Sequence, residues 1–309
     1  MNVIKLNANY QNVLDKGYVV AIGNFDGIHK AHEQVLKMAR KIAKENNLIF
    51  ALMTFDTTPR KVVNHIDNYY ILRSQKQKYA ILESLGVDTL FLIEFDETFK
   101  DINPKDFVQR YIINNNIKYV VCGFDFGFGK NKEGNVQLLC KYHEFKTIIL
   151  SQEKIDEMKI GSSLIHELIL NGEIEKANSL LTIPYSMQGI VVEGNQRGRT
   201  INFPTANLLP DVNYRIPKNG VYATKTIVDG KSYNSMTNIG HNPTFNFNLN
   251  TRIETNIFDF DQDIYGKEIE VIFYKYIRSE KVFDNITQLI NQMNKDKKQI
   301  LDYFKEKSL

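Results

Sequence analysis

The sequence contains few cysteines, no long apolar run and little net charge. Only Cys122 and Cys140 occur among 309 residues, which favours a reducing cytoplasm over the disulfide-rich secreted class. No apolar stretch approaches the roughly 18 residues of a membrane span, and residues 1–7 lack the apolar core of a signal peptide. A formal net charge of +3 is too small to indicate nucleic acid or an anionic membrane as the main partner. We therefore expect a cytoplasmic protein without a membrane or nucleic-acid partner.

The chain is longer than one hydrophobic core usually supports. A length of 309 residues predicts two domains, and 43% hydrophobic with 24% charged residues is typical of soluble globular proteins. The pattern changes at Thr182-Ile183-Pro184, where proline ends a helical stretch. We therefore predict domains of residues 1–183 and 184–309.

The first half alternates short apolar runs with segments of helical period. This alternation predicts βαβ units around a parallel sheet, with ligands bound beyond the carboxyl ends of its strands. Strands are predicted at Tyr18–Ile22, Leu48–Phe55, Thr89–Ile93, Lys118–Cys122 and Thr147–Leu150. Helices are predicted at Ala31–Glu45, Gln75–Leu85, Pro104–Asn114, Gln137–Tyr142, Ser162–Leu170 and Ile174–Leu181.

The second half has short β-prone runs separated by turn residues, which predict a compact β-barrel. The predicted strands are Gln188–Val192, Val221–Val228, Lys231–Asn238, Arg252–Phe258 and Ile269–Tyr276. Asp229-Gly230 joins two of them as a two-residue hairpin turn. Apolar residues at helical spacing through Asn285–Lys305 predict amphipathic helices that pack on the barrel.

A loop that leads into a helix follows the first predicted strand. It contains Gly23, Asn24 and Asp26, and His29 and His32 lie three residues apart at the start of the helix. Free N–H groups at a helix N-terminus attract anions, and two imidazoles on its first face can hydrogen-bond phosphate oxygens. Surface histidines and a metal pair are the alternatives. A metal is less favoured because no cysteine, third histidine or carboxylate at ligand spacing lies nearby.

A second glycine-rich stretch runs from Gly194 to Asn207, after the apolar run Gly189–Val192. Glycines let the backbone approach a ligand closely, and Arg197 and Arg199 add positive charge. Thr205 and Asn207, two residues apart, offer hard oxygens that suit a magnesium nucleotide. These features indicate a phosphate-binding loop, with a solvated hairpin as the alternative on spacing alone.

Both stretches resemble known enzyme motifs. The run Phe203-Pro204-Thr205-Ala206-Asn207 is similar to the PTAN signature of riboflavin kinases. The run His29-Lys30-Ala31-His32 resembles the HxGH motif of nucleotidyltransferases, with Ala31 in place of the usual glycine. Over nearly the whole chain, the combination resembles the bacterial bifunctional riboflavin kinase/FAD synthetase family. The resemblance implies an α/β parallel-sheet nucleotidyltransferase-like N-terminal domain followed by a small β-barrel riboflavin-kinase-like domain with C-terminal helices.

The resemblance also implies a reaction and a site for each domain. The barrel domain would phosphorylate riboflavin with ATP and Mg²⁺, giving FMN and ADP, with Glu254 as general base and Thr205 and Asn207 holding magnesium and phosphate. The first domain would transfer AMP from ATP to FMN, giving FAD and pyrophosphate, with His29 and His32 stabilising the phosphates. Further nucleotide- or flavin-binding residues are implied at Gly23, Asn24, Asp26, Gly123, Asp125, Phe128, Ser162, Ser163, His166, Gly194, Arg197, Gly198, Arg199, Pro204, Asn238 and Arg278.

Several of these residues have a structural explanation if the resemblance is set aside. Glu254 alternates with Ile253 and Thr255 and fits the solvent face of a strand. A lone arginine such as Arg278 is more often an ordinary surface residue. Phe128 belongs to a glycine- and aromatic-rich loop that fits either a ring-binding site or a tight turn with core aromatics.

Three positions of the first domain depart from the family pattern. Thr58 lies where the family has a proline, histidine, proline run, and Leu164 and His166 lie where a Ser-Ser-Thr segment is normally followed by arginines. Imidazole supplies less positive charge at neutral pH than guanidinium, and lost transition-state charge stabilisation slows a reaction. The alternative is therefore a riboflavin kinase whose first domain has weak or no adenylyltransferase activity and binds flavin or nucleotide as a regulatory module.

Overall fold

The computed structural model describes residues 1–151, 154–155, 158–194, 203–241 and 251–308, and they form two compact units. The first unit comprises Met1–Tyr69 and Gln75–Ser162, and the second comprises Tyr70–Ser74 and Ser163–Leu309. The helices after Ser162 thus belong to the second unit by contact, ahead of the boundary expected between residues 183 and 184. That domain boundary stays a prediction.

The first unit is built on a parallel sheet. Its strands are β1 (Asn2–Leu6), β2 (Tyr18–Ile22), β3 (Ile49–Phe55), β4 (Thr89–Ile93), β5 (Ile117–Gly123), the short pair β6 (Gly127–Phe128) and β7 (Gly134–Asn135), β8 (Lys146–Leu150), and the short pair β9 (Lys154–Ile155) and β10 (Met158–Lys159). Its helices are α1 (Lys30–Asn46), α2 (Pro59–Val63), α3 (Gln75–Ser84), α4 (Pro104–Phe107) and α5 (Val136–Leu139), with 3₁₀ turns at Phe99–Asp101 and Lys130–Lys132.

The sheet of the described residues has the order β1-β4-β3-β2-β5-β8, and all neighbouring strands are parallel. The chain passes from β2 through α1 to β3 on one side and returns to β5 on the other. The carboxyl ends of β2 and β5 are therefore adjacent at the position where the strand order reverses, which is where open α/β sheets bind ligands. The α/β class predicted for this half is confirmed.

The central strand β2 is buried on both faces. Tyr18, Val20 and Ile22 belong to one apolar cluster, and Val19 and Ala21 belong to another that α1 covers. A strand covered on both faces carries an unbroken apolar run, which is why Tyr18–Ile22 is readable from sequence. The loop that follows β2 consequently starts from a rigid support.

The helix predicted at Pro104–Asn114 is not regular. An α-helical turn, Pro104–Phe107, continues as a π-helix over Val108–Ile113. The side-chain amide of Asn115 donates to the carbonyls of Arg110 and Tyr111 at 3.0 and 3.1 Å, and this widens the turn. Periodicity does not reveal such a turn, because the apolar positions stay almost in phase.

The second unit contains a closed antiparallel barrel. Its strands are β11 (Ser186–Val192), β12 (Ala206–Pro210), β13 (Gly220–Val228), β14 (Lys231–His241), β15 (Thr251–Ile257) and β16 (Glu268–Arg278). Its helices are α6 (Ser162–Leu170), α7 (Ile174–Leu180) and α8 (Ile286–Glu306). Among the described residues the barrel order is β11-β12-β15-β14-β13-β16. The predicted barrel is confirmed, and the segment predicted as C-terminal helices is the single helix α8.

The helix α8 packs on the outside of the barrel through an apolar cluster and an ion pair. Ile300 and Phe304 join the apolar residues of β13 and β14. Arg278, at the end of β16, donates from Nε to Asp296 Oδ2 at 2.9 Å, with Nη2 at 2.8 Å from the same oxygen. Gln292 donates to Asp296 Oδ1 at 2.8 Å. Both oxygens of Asp296, a residue only 1% exposed, are therefore paired.

We expect Asp296→Ala to loosen α8 from the barrel. The substitution leaves the Arg278 guanidinium partly buried without its partner, which costs about 3 kcal/mol. Amide hydrogen exchange of α8 in the intact chain measures the effect as a lower free energy of opening. The exposed Asp302 on the same helix provides the control, Asp302→Ala, which should leave exchange unchanged. Parent-like protection in Asp296→Ala would show that the ion pair does not hold the helix.

Candidate active sites

The loop between β2 and α1 has an unusual backbone. Phe25, Gly27 and Ile28 have φ values of 49°, 77° and 48°. The left-handed region is uncommon for bulky residues, and Ile28 and Phe25 are held there by almost complete burial. Residues held in sparsely populated conformations cluster at functional sites.

The two predicted histidines lie against each other at the end of this loop. His29 is the N-cap of α1, and its Nδ1 accepts from the backbone N–H of His32 at 3.3 Å. The rings stack at 3.6 Å, and the Phe25 ring lies 4.5 Å from that of His32. Because His29 Nδ1 accepts, the neutral ring carries its proton on Nε2, where it can donate. His32 Nδ1 is buried and has no hydrogen-bond partner in the described part of the chain.

Both histidines are uncharged at neutral pH. Burial lowers the pKa of His29 to about 4, and the nearby Asp26 and Asp125 carboxylates oppose that shift only in part. Burial also lowers the pKa of His32 well below its usual value, with smaller contributions from His29 and Lys78. The pair therefore offers hydrogen-bond donors rather than positive charge.

A lysine that sequence inspection missed lies within electrostatic reach of this pair. Lys78 is half-buried on α3, and burial lowers the pKa of its amine while the Asp26 and Asp56 carboxylates raise it. Its spacing in the sequence could have indicated this position, because Lys78 lies on the helix face that also carries the buried Ile81 and Leu82.

Other predicted residues surround the loop. Asn24 accepts at its carbonyl from Thr54 Oγ1 at 2.9 Å, and the Gly23 N–H donates to Met53 at the end of β3. The Asp26 carbonyl accepts from Ser162 Oγ at 3.0 Å, so the first residue of α6 contacts the loop. The structure therefore joins two predicted positions, Asp26 and Ser162, directly, and β3 holds the backbone of two others, Gly23 and Asn24.

The loop after β5 contributes Gly123 and Asp125. A Cβ on Gly123 would lie 3.3 Å from Asp125 Oδ1, so glycine leaves room for that carboxylate, which acts electrostatically on His29. Phe128, by contrast, lies in the core, with its ring 5.0 Å from that of Phe107 and 5.7 Å from that of Phe126. Its binding role stays a prediction.

Two further predicted residues, Ser163 and His166, belong to the second unit by contact. His166 Nδ1 accepts from Arg215 Nε at 3.2 Å, and the Arg215 guanidinium stacks on the Tyr70 ring at 4.5 Å. Where the family pattern has an arginine, this chain thus has an imidazole hydrogen-bonded to an arginine from elsewhere in the sequence.

The barrel brings three predicted polar residues to one level. Asn207 on β12 is the register partner of Glu254 on β15, and Glu254 is the partner of Asn238 on β14. Register partners on neighbouring strands project to the same face. The flanking Ile253 and Thr255 are buried, so this row of side chains projects from the outer surface.

The row of register partners continues across β13 to β16, because Val221 pairs with Asn238 on one side and with Arg278 on the other. Its guanidinium is engaged by Asp296, and the expected phosphate-binding role of Arg278 stays a prediction. The side-chain amide of Asn238 contacts Glu280, with Nδ2 3.5 Å from Glu280 Oε1.

The segment before β12 is held against the row. The Pro204 carbonyl accepts from Asn256 Nδ2 at 2.7 Å, and Thr205 is half-buried just before the strand. Gly194 is required by close packing, because a Cβ there would overlap the Asn207 amide. Arg197, Gly198 and Arg199 lie outside the described residues.

Glu254 is the half-buried carboxylate of this row. Burial raises the pKa of Glu254. The guanidinium of Arg252 lowers that pKa and so opposes the effect of burial, because its Nη2 lies 3.5 Å from Glu254 Oε2. A raised pKa makes a carboxylate a better proton acceptor. Sequence inspection missed Arg252, although it lies two residues from Glu254 on one strand and so on the same face.

The donor set beside Glu254 fits magnesium. A hydroxyl and an amide oxygen are hard ligands, and magnesium in nucleotide sites is held by one or two protein ligands together with phosphates and water. Within the described ranges, no group of three or more His, Cys, Asp or Glu side chains is placed to hold a metal ion. Thr205 and Asn207 therefore stay the predicted protein ligands, and a metal held by them would need substrate oxygens or water to complete its coordination.

A cavity of about 730 Å³ opens beside the row, between the end of β15 and α8. This volume lies within the range of small-molecule sites. Its walls include three apolar side chains and three polar ones, namely Phe203, Phe258, Ile290, Asn256, Asn294 and Lys297. Phe203 and Pro204 of the predicted phosphate-binding loop also line this cavity.

Comparison with known proteins identifies a family for each half of the chain. The FAD synthetase family matches residues 11–164, and the riboflavin kinase family matches residues 181–304. A bifunctional riboflavin kinase/FMN adenylyltransferase of Bacillus subtilis is 40% identical over 291 residues, covering 93% of this chain and 92% of the relative. The chain belongs to the bifunctional riboflavin kinase/FMN adenylyltransferase family. Its two matching domains favour the bifunctional interpretation over the kinase-only alternative.

More distant family relatives span the same length. The Escherichia coli K12 protein of that name is 30% identical over 309 residues, covering 98% of both chains. A crystal structure from Streptococcus pneumoniae, described as a macrolide-efflux protein, shares 33% identity and a TM-score of 0.87 over 96% of this chain and 98% of the other. Among the described residues of this family member, no helix combines the length and apolar character needed to cross a bilayer.

We expect His29 to stay neutral in the folded enzyme well below pH 6. Between pH 6.5 and about 4, the unfolded imidazole binds a proton that the folded one does not, so His29 makes the folded state less stable as the pH falls. Long-range ¹H–¹⁵N spectra should show a neutral ring protonated at Nε2 at pH 6. His29→Gln assigns the signal, and the urea-unfolded chain supplies the reference titration. A folded-state midpoint near 6.5 would contradict the burial argument.

Proposed function

We propose that this family member phosphorylates the primary hydroxyl of riboflavin at the barrel site and adenylylates the resulting FMN at the sheet site, both with ATP. The observation that carries the first assignment is the row of Asn207, Glu254 and Asn238, which joins a carboxylate to two amides. The stacked His29 and His32 at the N-terminus of α1 support the second. Few cysteines and the use of ATP support a cytoplasmic location.

In the kinase step, Glu254 accepts the proton of the riboflavin hydroxyl as that oxygen attacks the γ-phosphorus. The new O–P bond forms while the bond from phosphorus to the bridging oxygen of ADP breaks, and ADP leaves. Thr205 Oγ1 and Asn207 Oδ1 would hold Mg²⁺ beside the phosphates. When bound, the ion neutralises charge on the β- and γ-phosphate oxygens. Arg197 and Arg199 remain predicted phosphate contacts.

The cavity beside the kinase row fits the flavin ring. Phe203, Phe258 and Ile290 give it apolar walls, and the Asn256 amide offers polar contacts at its edge. Asp259, Asp261, Asn294 and Lys297 also line the cavity, so it combines apolar walls that suit a planar ring with polar groups that can contact the edge of that ring. A ring bound there lies beside the strand that carries Glu254, so its ribityl chain can extend along β15 to the base.

In the adenylyl step, a phosphate oxygen of FMN attacks the α-phosphorus of ATP, and the bond to pyrophosphate breaks. Neutral His29 and His32 donate hydrogen bonds to the phosphate oxygens as charge shifts to the leaving group. They supply no positive charge, and we assign that contribution to Lys78, whose ammonium acts on both His32 and Asp26.

Single substitutions should separate the two reactions. We expect Glu254→Gln to lower FMN formation from riboflavin by about 10²-fold or more while FAD formation from FMN stays at the parent rate. His29→Asn should do the reverse, by about 10²-fold. Chromatography of flavins from each reaction measures both rates.

The control is Glu268→Gln, which changes an exposed glutamate of the same barrel. Parent-like kinase activity in Glu254→Gln would refute the base assignment, and absence of FAD from the parent enzyme would favour the kinase-only alternative.

We expect Arg252→Gln to move the acid limb of the kinase pH profile to higher pH. Removing the guanidinium removes the charge that lowers the pKa of Glu254, so protonation of the base begins at a higher pH. The kcat/KM for riboflavin measured between pH 5 and 9 tests this, and Arg252→Lys, which keeps the charge, should stay near the parent profile. An unchanged limb in Arg252→Gln would mean that another group governs it.

A further inference from the structure

A chain of hydrogen-bonded hydroxyl groups crosses the inside of the barrel. Thr226 donates to Ser235 at 2.8 Å, Ser235 bonds to Thr224 at 2.8 Å, Thr224 to Thr237 at 2.8 Å, and Thr237 to Thr255 at 2.9 Å. All of these side chains are 0% exposed. The hydroxyls therefore satisfy one another in an interior that water does not reach.

This chain of hydroxyl groups depends on the register of the barrel strands. Thr224 and Ser235 are direct register partners on β13 and β14, and Thr237 and Thr255 are direct partners on β14 and β15. A slip of either pair would leave buried hydroxyls without partners, and each such group costs about 1–3 kcal/mol. The hydrogen-bonded hydroxyl groups therefore disfavour other registers of β13, β14 and β15 more strongly than apolar side chains would.

The last bond of the chain lies next to the kinase row. Thr255 follows Glu254 on β15, and Thr237 precedes Asn238 on β14. The Thr237–Thr255 hydrogen bond thus joins the two strands on the inner face at the level where Glu254 and Asn238 project outwards. On its other side, Asn256 ties β15 to the Pro204 carbonyl. Both links lie within two residues of Glu254 on β15.

We propose that Thr237 and Thr255 are positioning residues of the kinase reaction, which hold the Glu254 carboxylate in line with Asn207 and Asn238. The inference rests on the proposed role of Glu254. A displacement of about 1 Å at a reacting group can cost about 10²-fold in rate, so the loss of one fixed link on the strand of the base is measurable.

The test compares three variants of the intact enzyme. Thr255→Val keeps the shape of the side chain and removes its hydroxyl, and we expect kcat for riboflavin phosphorylation to fall about tenfold with KM for riboflavin and ATP nearly unchanged. Thr255→Ser keeps the hydroxyl and should retain kcat although it loses a buried methyl group. Thr226→Val removes the hydroxyl at the far end of the chain, and it should lower the melting temperature without lowering kcat.

Each failure has its own signature. Parent kcat in folded Thr255→Val, or equal kcat losses in Thr255→Ser or Thr226→Val, would overturn the positioning role, because the effect would then be absent or only a matter of barrel stability. Glu254→Gln in the same series distinguishes the causes: if it keeps the parent rate, the proposed base is wrong. The melting transition of each variant checks that its barrel is folded, because FAD formation from FMN reports only on the sheet unit. If Thr255→Val does not accumulate, Thr237→Val breaks the same bond from its other end and should show the same loss of kcat.

Discussion

The antiparallel pairing of β15 with β12 and β14 is the constraint on which the proposed kinase site depends. Asn207, Glu254 and Asn238 are separated by long stretches of sequence, and backbone register alone brings them to one level. The buried hydroxyls of Thr237 and Thr255 reinforce that register from inside the barrel. The outer face carries both this polar row and the apolar cluster on which α8 packs.

Burial has a different role in the sheet unit. It holds Phe25 and Ile28 in the left-handed conformation that turns the chain from β2 into α1. It also keeps His29 and His32 neutral, so that the pair offers N–H donors, and we propose that Lys78 supplies the positive charge. Hydrogen-bond donation and positive charge are therefore divided among different side chains, each set by its own environment.

Much of the fold could be predicted because burial on both faces leaves a clear pattern. Tyr18–Ile22 and Thr89–Ile93 have the predicted bounds. The strand β1 was missed because it is a short edge strand whose first four residues are exposed or half-buried. The strand β12 was missed because asparagine, proline and the glycine-rich stretch before it resemble a loop. Arg215 was not predicted because a lone cation has no periodic signal, whereas the spacing of Lys78 on α3 and of Arg252 on β15 could have revealed them.

The sequence by itself determined the α/β and barrel classes, the family and the motif residues, because short-range patterns and motif spacing are local properties. Tertiary structure alone decided that Glu254 lies between two amides, that His29 is neutral, and that Arg278 is engaged by Asp296. Those properties depend on strand register, burial and charges brought together across the fold, and none of these is encoded in any single stretch of the chain.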